Sequence, residues 1–144
     1  MKVETILQSK GSRVVTVAPQ AAIRVAIGRM MLEHIGAVVV SRDDQTALGI
    51  LSERDIVRGL AAHGAAVLDM TAQDLMAPGM TTCTRRDSVQ EVMVKMTNTR
   101  MRHLVVVENG RLCGIVSIGD VVKNRLQEVE LEANVLRDAY LATH

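Results

Sequence analysis

The chain has 144 residues and a net charge of +1, a balance that lacks the basic excess of proteins held to nucleic acid by phosphate contacts. Its apolar residues, 48% of the total, include no Phe, no Trp and one Tyr, so the core is aliphatic and Met-rich, and base stacking or aromatic cages for quaternary amines are disfavoured. No apolar run approaches the roughly 18 residues of a membrane span, and Met1-Lys2-Val3-Glu4-Thr5 lacks the order of a signal peptide, so a soluble cytoplasmic chain with no membrane or nucleic-acid partner is expected.

A short helix is expected at Val3 to Leu7. Val14 to Val17 is a β-branched run closed by Ala18-Pro19, and Ile23, Ala26, Ile27, Met30 and Met31 then recur at the spacing of one helix face. Gly36-Ala37-Val38-Val39-Val40 and the run through Gly49-Ile50-Leu51 read as strands joined by the turn Asp43-Asp44-Gln45, and a helix opens after Ser52. A linker runs from Gly64 to Gly79, with a short helix over Asp69 to Met76 stopped by Ala77-Pro78-Gly79. The order then restarts: Val89, Val92, Met93 and Met96 mark a helix, two strands flank the hairpin signal Asn109-Gly110, and a helix from about Ile118 to Ala142 follows Ser117. On this last helix Val122, Leu126, Val129, Ala133, Leu136 and Tyr140 follow heptad-like spacing, which suits either a fold back onto its own module or a contact with a second copy.

The restart is a duplication. Gly49 to Val57 matches Gly114 to Val122 at an offset of 65, Gly36 to Val40 matches His103 to Val107 at 67, and Val15 to Met30 matches Thr81 to Met96 at 66, with the difference absorbed in turns. The fold class is therefore α/β (α+β): two β-α-β-β-α repeats over residues 8–66 and 73–130, and a C-terminal helical extension over 131–144. One such unit is too small for a substantial core, so the copies are expected to pack by an approximate two-fold.

Both copies carry Gly-x-x-Ser-x-x-Asp where a strand runs into a helix. Ser52/Asp55 and Ser117/Asp120 suit an N-terminal capping pair. The same groups suit a ligand, since an Asp beside a helix N-terminus offers two acceptor oxygens to a vicinal diol such as that of a ribose. Cys83 and Cys113 each lie in an apolar run and read as small hydrophobes. His34, His63, His103 and His144 show no metal-ligand spacing, and no catalytic constellation is present, so neither a metal nor an enzyme is expected.

Taken together, the Val-Thr-Val-Ala-Pro opening, His34 to Val40, Arg102 to Val107 and both Gly-x-x-Ser-x-x-Asp ends resemble the paired cystathionine β-synthase (CBS) domains, or Bateman module, over about residues 8 to 130. The chain looks especially like the small stand-alone bacterial members without an enzymatic domain. The resemblance implies two clefts between the repeats that take AMP, ADP, ATP, NAD(H) or S-adenosylmethionine. One cleft would combine Ser117 and Asp120 with Lys10, Gly11, Ser12 and Ile35-Gly36-Ala37. The other would combine Ser52 and Asp55 with Ala77, Pro78, Gly79 and Arg102-His103-Leu104. Ile35, Ile50 and Ile115 would sandwich an adenine, with backbone at Ala37 or Leu104 reading its edge. Arg54, Arg58, Arg100, Arg102, His103 and Lys123 are the phosphate candidates, and their uneven distribution between the copies implies unequal clefts. The expected function is a non-enzymatic regulatory module, homodimeric and acting on an unidentified protein. The alternative is a structural or partner-binding homodimer with no small-molecule ligand.

Overall fold

In the computed structural model, which describes residues 1–77 and 79–143, α1 (Val3–Lys10) precedes β1 (Thr16–Val17), α2 (Ile23–Glu33), β2 (Ala37–Ser41), β3 (Ala47–Ser52) and α3 (Glu53–His63). A 3-10 turn (Gly64–Asp69) and α4 (Ala72–Leu75) lead into β4 (Thr82–Cys83), α5 (Val89–Thr99), β5 (His103–Glu108), β6 (Arg111–Ser117) and α6 (Ile118–Thr143). Each repeat is one three-stranded sheet, ordered β1-β2-β3 or β4-β5-β6, its first pair parallel across a helix and its second antiparallel across a hairpin. The fold is mixed α/β, as the duplication implies.

Turn chemistry fixes these connections. Asn109 and Gly110 take φ of 51° and 76°, the left-handed pair that a tight hairpin demands. His34 and Arg100 end α2 and α5 at matching left-handed positions, φ 55° and 56°. Two expectations need correction. Thr71 caps α4 in a reciprocal box with Asp74 while Met70 is extended, so the linker helix begins at Ala72 rather than Asp69. The repeat register is also one residue tighter in β2. Val40 faces Gly49 as Val106 faces Gly114, which pairs Ala37 with His103 and Gly36 with Arg102 at an offset of 66. The matched bonds from Glu53 N–H to the Gly36 carbonyl (3.0 Å) and from Ile118 N–H to that of Arg102 (2.8 Å) follow the same register.

Strand alternation explains how aliphatic side chains fill both faces of each sheet. Val38, Val40 and Leu51 pack under the helices of the first repeat, and Leu104, Val106 and Val116 under those of the second. The intervening positions Ala37, Val39, Ile50 and Val105, joined by Ile115 and Leu112, meet in a third cluster between the two sheets. This shared layer makes the repeats one body.

The short helices are exchanged. Val3, Ile6 and Leu7 of α1, which precedes the first repeat, sit in the core of the second, and Ala72 of α4, which precedes the second, sits in the core of the first. Paired bridges, Lys2 to Ser88 and Ala22 to Thr71, repeat the arrangement around the approximate two-fold. The exchange accounts for the recurring glycines: a Cβ on Gly114 would lie 2.7 Å from Leu7 Cδ2, and one on Gly49 would lie 2.8 Å from Met76 Sδ. Cys83 is buried in the second core, where desolvation pushes its thiol up to about 12, and Cys113 is half-buried with Sγ donating to the Val106 carbonyl.

Helix α6 buries Val121 and Asn124 in its first turns, but the heptad positions do not fold back on the module. Val122, Leu126, Val129 and Leu136 are all exposed, as are Leu131 and Val135 beside them.

Candidate functional site

Two cavities open where the end of one repeat meets the strand start of the other. The first, about 170 Å³, is lined by Ile50, Ser52, Glu53, Arg54, Asp55, Arg58 and Ala77 from the first repeat and its linker, and by Arg100, Met101, Arg102 and His103 from the second. The other, about 350 Å³, is lined by Lys10, Arg13, Val15, His34, Ile35 and Ala37 together with Ile115, Ser117 and Asp120. Gly36 and His103 line both, so the cavities share a wall at the centre of the molecule.

Most residues singled out in the sequence therefore converge as two groups, and several do not. Leu104 is fully buried in the second core, Gly11 ends α1 through its N–H to the Leu7 carbonyl, and exposed Ser12 and Gly79 line neither cavity. Lys123 faces a separate recess on α6, and Pro78 and His144 lie outside the described residues. Glu53, Met101, Arg13, Val15 and His34 complete the linings. Of these only His34 carried a signal, as the first-repeat counterpart of the basic cluster before β5.

Both Ser/Asp pairs cap helices. The Ser52 N–H donates to Asp55 Oδ2 at 2.8 Å while Ser52 Oγ accepts from the Asp55 N–H, and Ser117 with Asp120 repeats this at 2.9 and 3.2 Å. Capping does not consume the carboxylate. In both copies the described bonds fall on Oδ2, and the residue still lines its cavity with Oδ1 in reserve.

Electrostatics separates the cavities. Arg54, Arg58, Arg100 and Arg102 are exposed at the mouth of the Asp55 cavity, and none forms an ion pair among the described residues. Four guanidiniums against Glu53 and Asp55 leave an excess of positive charge. In the Asp120 cavity the cations are already paired, Lys10 with Asp120 at 2.7 Å and Arg13 with Glu33 at 2.9 Å. Burial opposes ionisation of Asp120, yet Lys10 and the Ser117 N–H outweigh it and hold the carboxyl below the ordinary aspartate range.

Burial also holds the shared His103 below the ordinary imidazole value, with Lys10 and Arg102 acting in the same sense against Asp120 and Glu53. The unfolded chain then takes up a proton near about pH 6.5 that the folded chain does not, so stability falls as pH drops through that range. His103→Gln is expected to flatten this slope in urea melts compared between about pH 8 and pH 5.

Two stacked α/β repeats with a pair of acidic-capped clefts between them define a class of paired α/β repeat modules. The model of the CBS domain matches residues 7–62 and 72–126, and the chain belongs to the CBS-domain family, with two copies of the domain. It is 32% identical over 120 residues to the mitochondrial CBS domain-containing protein CBSX3 of Arabidopsis thaliana, covering 81% of this chain and 58% of that longer one. A CBS-domain containing protein from Agrobacterium tumefaciens superposes with a TM-score of 0.83 at 44% identity, over 86% of this chain and 92% of that one. A Pyrobaculum aerophilum CBS domain protein, solved in complex with AMP, superposes with a TM-score of 0.77 at 28% identity, over 92% and 99%. Among the described residues no helix is long and apolar enough to cross a membrane, and no group of three or more His, Cys, Asp or Glu is placed to hold a metal ion.

Proposed function

We propose that the chain is a non-enzymatic regulatory module whose Asp55 cleft binds a phosphorylated adenosine ligand, of the AMP, ADP, ATP or NAD(H) class. The observation that carries this reading is the set of four arginines beside the Asp55 carboxylate in one cavity, none in an ion pair among the described residues. In this arrangement Asp55 Oδ1 accepts from the ribose diol, Ile50 and Met101 flank the base by dispersion, and the arginines meet the phosphate. At about 170 Å³ the cavity is smaller than the roughly 300–1,000 Å³ of typical small-molecule sites. The nucleoside therefore fills the floor while the exposed arginine side chains swing outward around the phosphate. The AMP complex of the Pyrobaculum relative supports the ligand class. A ligand acts through this module by favouring one packing of the two sheets over another, since both clefts abut the shared layer.

A thermal-shift panel of AMP, ADP, ATP, NAD(H) and S-adenosylmethionine tests the reading. Stabilisation by phosphorylated ligands, strongest at low salt, is expected. No shift with any of them favours the alternative of a structural or partner-binding homodimer.

The exposed heptad positions of α6 support a contact with a second copy of the chain, which covers Val122, Leu126, Val129 and Leu136. Truncation after Glu130 is expected to convert a dimer to a monomer in light scattering, and an unchanged mass would place any dimer contact elsewhere.

A further inference from the structure

Lys10 occupies the polar centre of the Asp120 cleft. Its ammonium donates to Asp120 Oδ2 at 2.7 Å and to the Ile115 carbonyl at 3.0 Å. Asp120 is the counterpart of the ribose-facing Asp55 in the function proposed above, on which this inference rests, and Ile115 lines the same cleft. Among the described residues the Asp55 cleft shows no equivalent: α4 is a four-residue helix, and Asp55 Oδ2 accepts from Ser52 alone. With the Lys10 and Asp120 side chains 33% and 23% exposed, the pair is wet enough to open and close rather than fix the fold.

A second observation supplies an alternative partner for Lys10. Lys10 and Asp120 also line a second recess, of about 40 Å³, shared with Ser9 from α1 and with Lys123, Asn124 and Gln127 from α6. Asn124 is 7% exposed, and its Oδ1 accepts no hydrogen bond from the described residues, although a buried acceptor without a partner is costly. The recess exceeds the roughly 10–15 Å³ needed to hold one water, and an ammonium group fits the same space. Turning Lys10 from Asp120 to Asn124 satisfies that acceptor and frees the carboxylate.

We propose that Lys10 is an internal competitor for ligand at the Asp120 cleft, latched on Asp120 and Ile115 when the cleft is empty and withdrawn to Asn124 when it fills. The Asp55 cleft then fills first, and the Asp120 cleft answers only to higher ligand concentrations.

Isothermal titration on the full chain separates the terms. In the Asp55→Asn background only the Asp120 cleft reports, and adenosine, which carries no phosphate for Lys10 to attract, is the probe. Lys10→Met, which keeps the aliphatic stem, is expected to raise adenosine affinity at least tenfold, about 1.4 kcal/mol. Asn124→Leu is expected to weaken binding when Lys10 is present and to have no effect beside Lys10→Met. Unchanged or weaker adenosine binding in Lys10→Met overturns the latch, the weaker case making Lys10 a ligand contact. An equal effect of Asn124→Leu in both backgrounds overturns the role of Asn124. If the wild-type chain binds no AMP, the function proposed above falls together with the latch. If it binds AMP and loses that binding with Asp55→Asn, yet Lys10→Met gains nothing, the latch alone falls.

Discussion

Asp55→Ala is expected to remove the AMP-dependent stabilisation of this protein while Asp120→Ala leaves it in place. At 100 times its dissociation constant a ligand bound only to the folded state adds about 2.7 kcal/mol. For a chain of this size that corresponds to a rise of roughly 5–10 °C in the melting temperature. The rise requires the carboxylate, because the cavity holds only two carboxylates among its arginines, and Asp55 is the one already fixed by the α3 cap. The substitution has a second, ligand-independent effect. It removes the partner of the Ser52 N–H from a reciprocal capping box, which costs about 1 kcal/mol without ligand. Thermal melts with and without AMP read the two separately. A drop in the ligand-free melt with the full AMP shift retained would reduce Asp55 to a helix cap.

Leu7→Ala is expected to destabilise the second repeat although residue 7 precedes the first. Leu7 is 5% exposed and packs with Val89, Val92, Leu104 and Val116, against the face of β6 where Gly114 leaves room for it. Truncating a buried leucine to alanine costs about 2–5 kcal/mol. That is a large part of the roughly 5–15 kcal/mol by which a domain is folded. Hydrogen exchange locates the loss: amides of β5 and β6 should open well before those of β2 and β3. Equal opening in both sheets would mean that the shared layer alone sets stability and the helix exchange contributes nothing.

Much of this architecture is legible in the residues. Duplication is written in the matched strand and helix runs, hairpin chemistry in Asn109-Gly110, and both cleft groups in the repeated Ser and Asp and the basic cluster before β5. What escapes the sequence is relational. The matching apolar runs align nearly as well one residue out of step, and only the pairing of Val40 with Gly49 and of Val106 with Gly114 settles the β2 register. Exchange of α1 and α4 leaves no periodic trace, because an amphipathic helix shows an apolar face but not whose core receives it. The strand position of Gly49 and Gly114 is legible, but not that their missing Cβ leaves room for Met76 and Leu7. Lys10 was legible as a member of the Asp120 cleft, but its ion pair closes through residues 110 positions apart and depends on where α1 docks.

The same docking separates two clefts that the repeated motif makes similar. α1 delivers a lysine to the Asp120 cleft, whereas α3 and the segment before β5 supply the arginines that line the Asp55 cleft. The His34, Gly36 and Ala37 positions of the first repeat correspond to Arg100, Arg102 and His103 of the second, so three matched sites differ in charge or in hydrogen-bonding capacity. Unpaired positive charge among the described residues is concentrated on one side of the shared wall, and under the proposed function ligand discrimination follows from that distribution.

A crystal structure of the full chain grown with AMP tests the central claim most directly. The account predicts AMP in the Asp55 cleft, its ribose hydroxyls on the Asp55 carboxylate and its phosphate among Arg54, Arg58, Arg100 and Arg102. AMP seated with its ribose on Asp120 while the Asp55 cleft stays empty would contradict it.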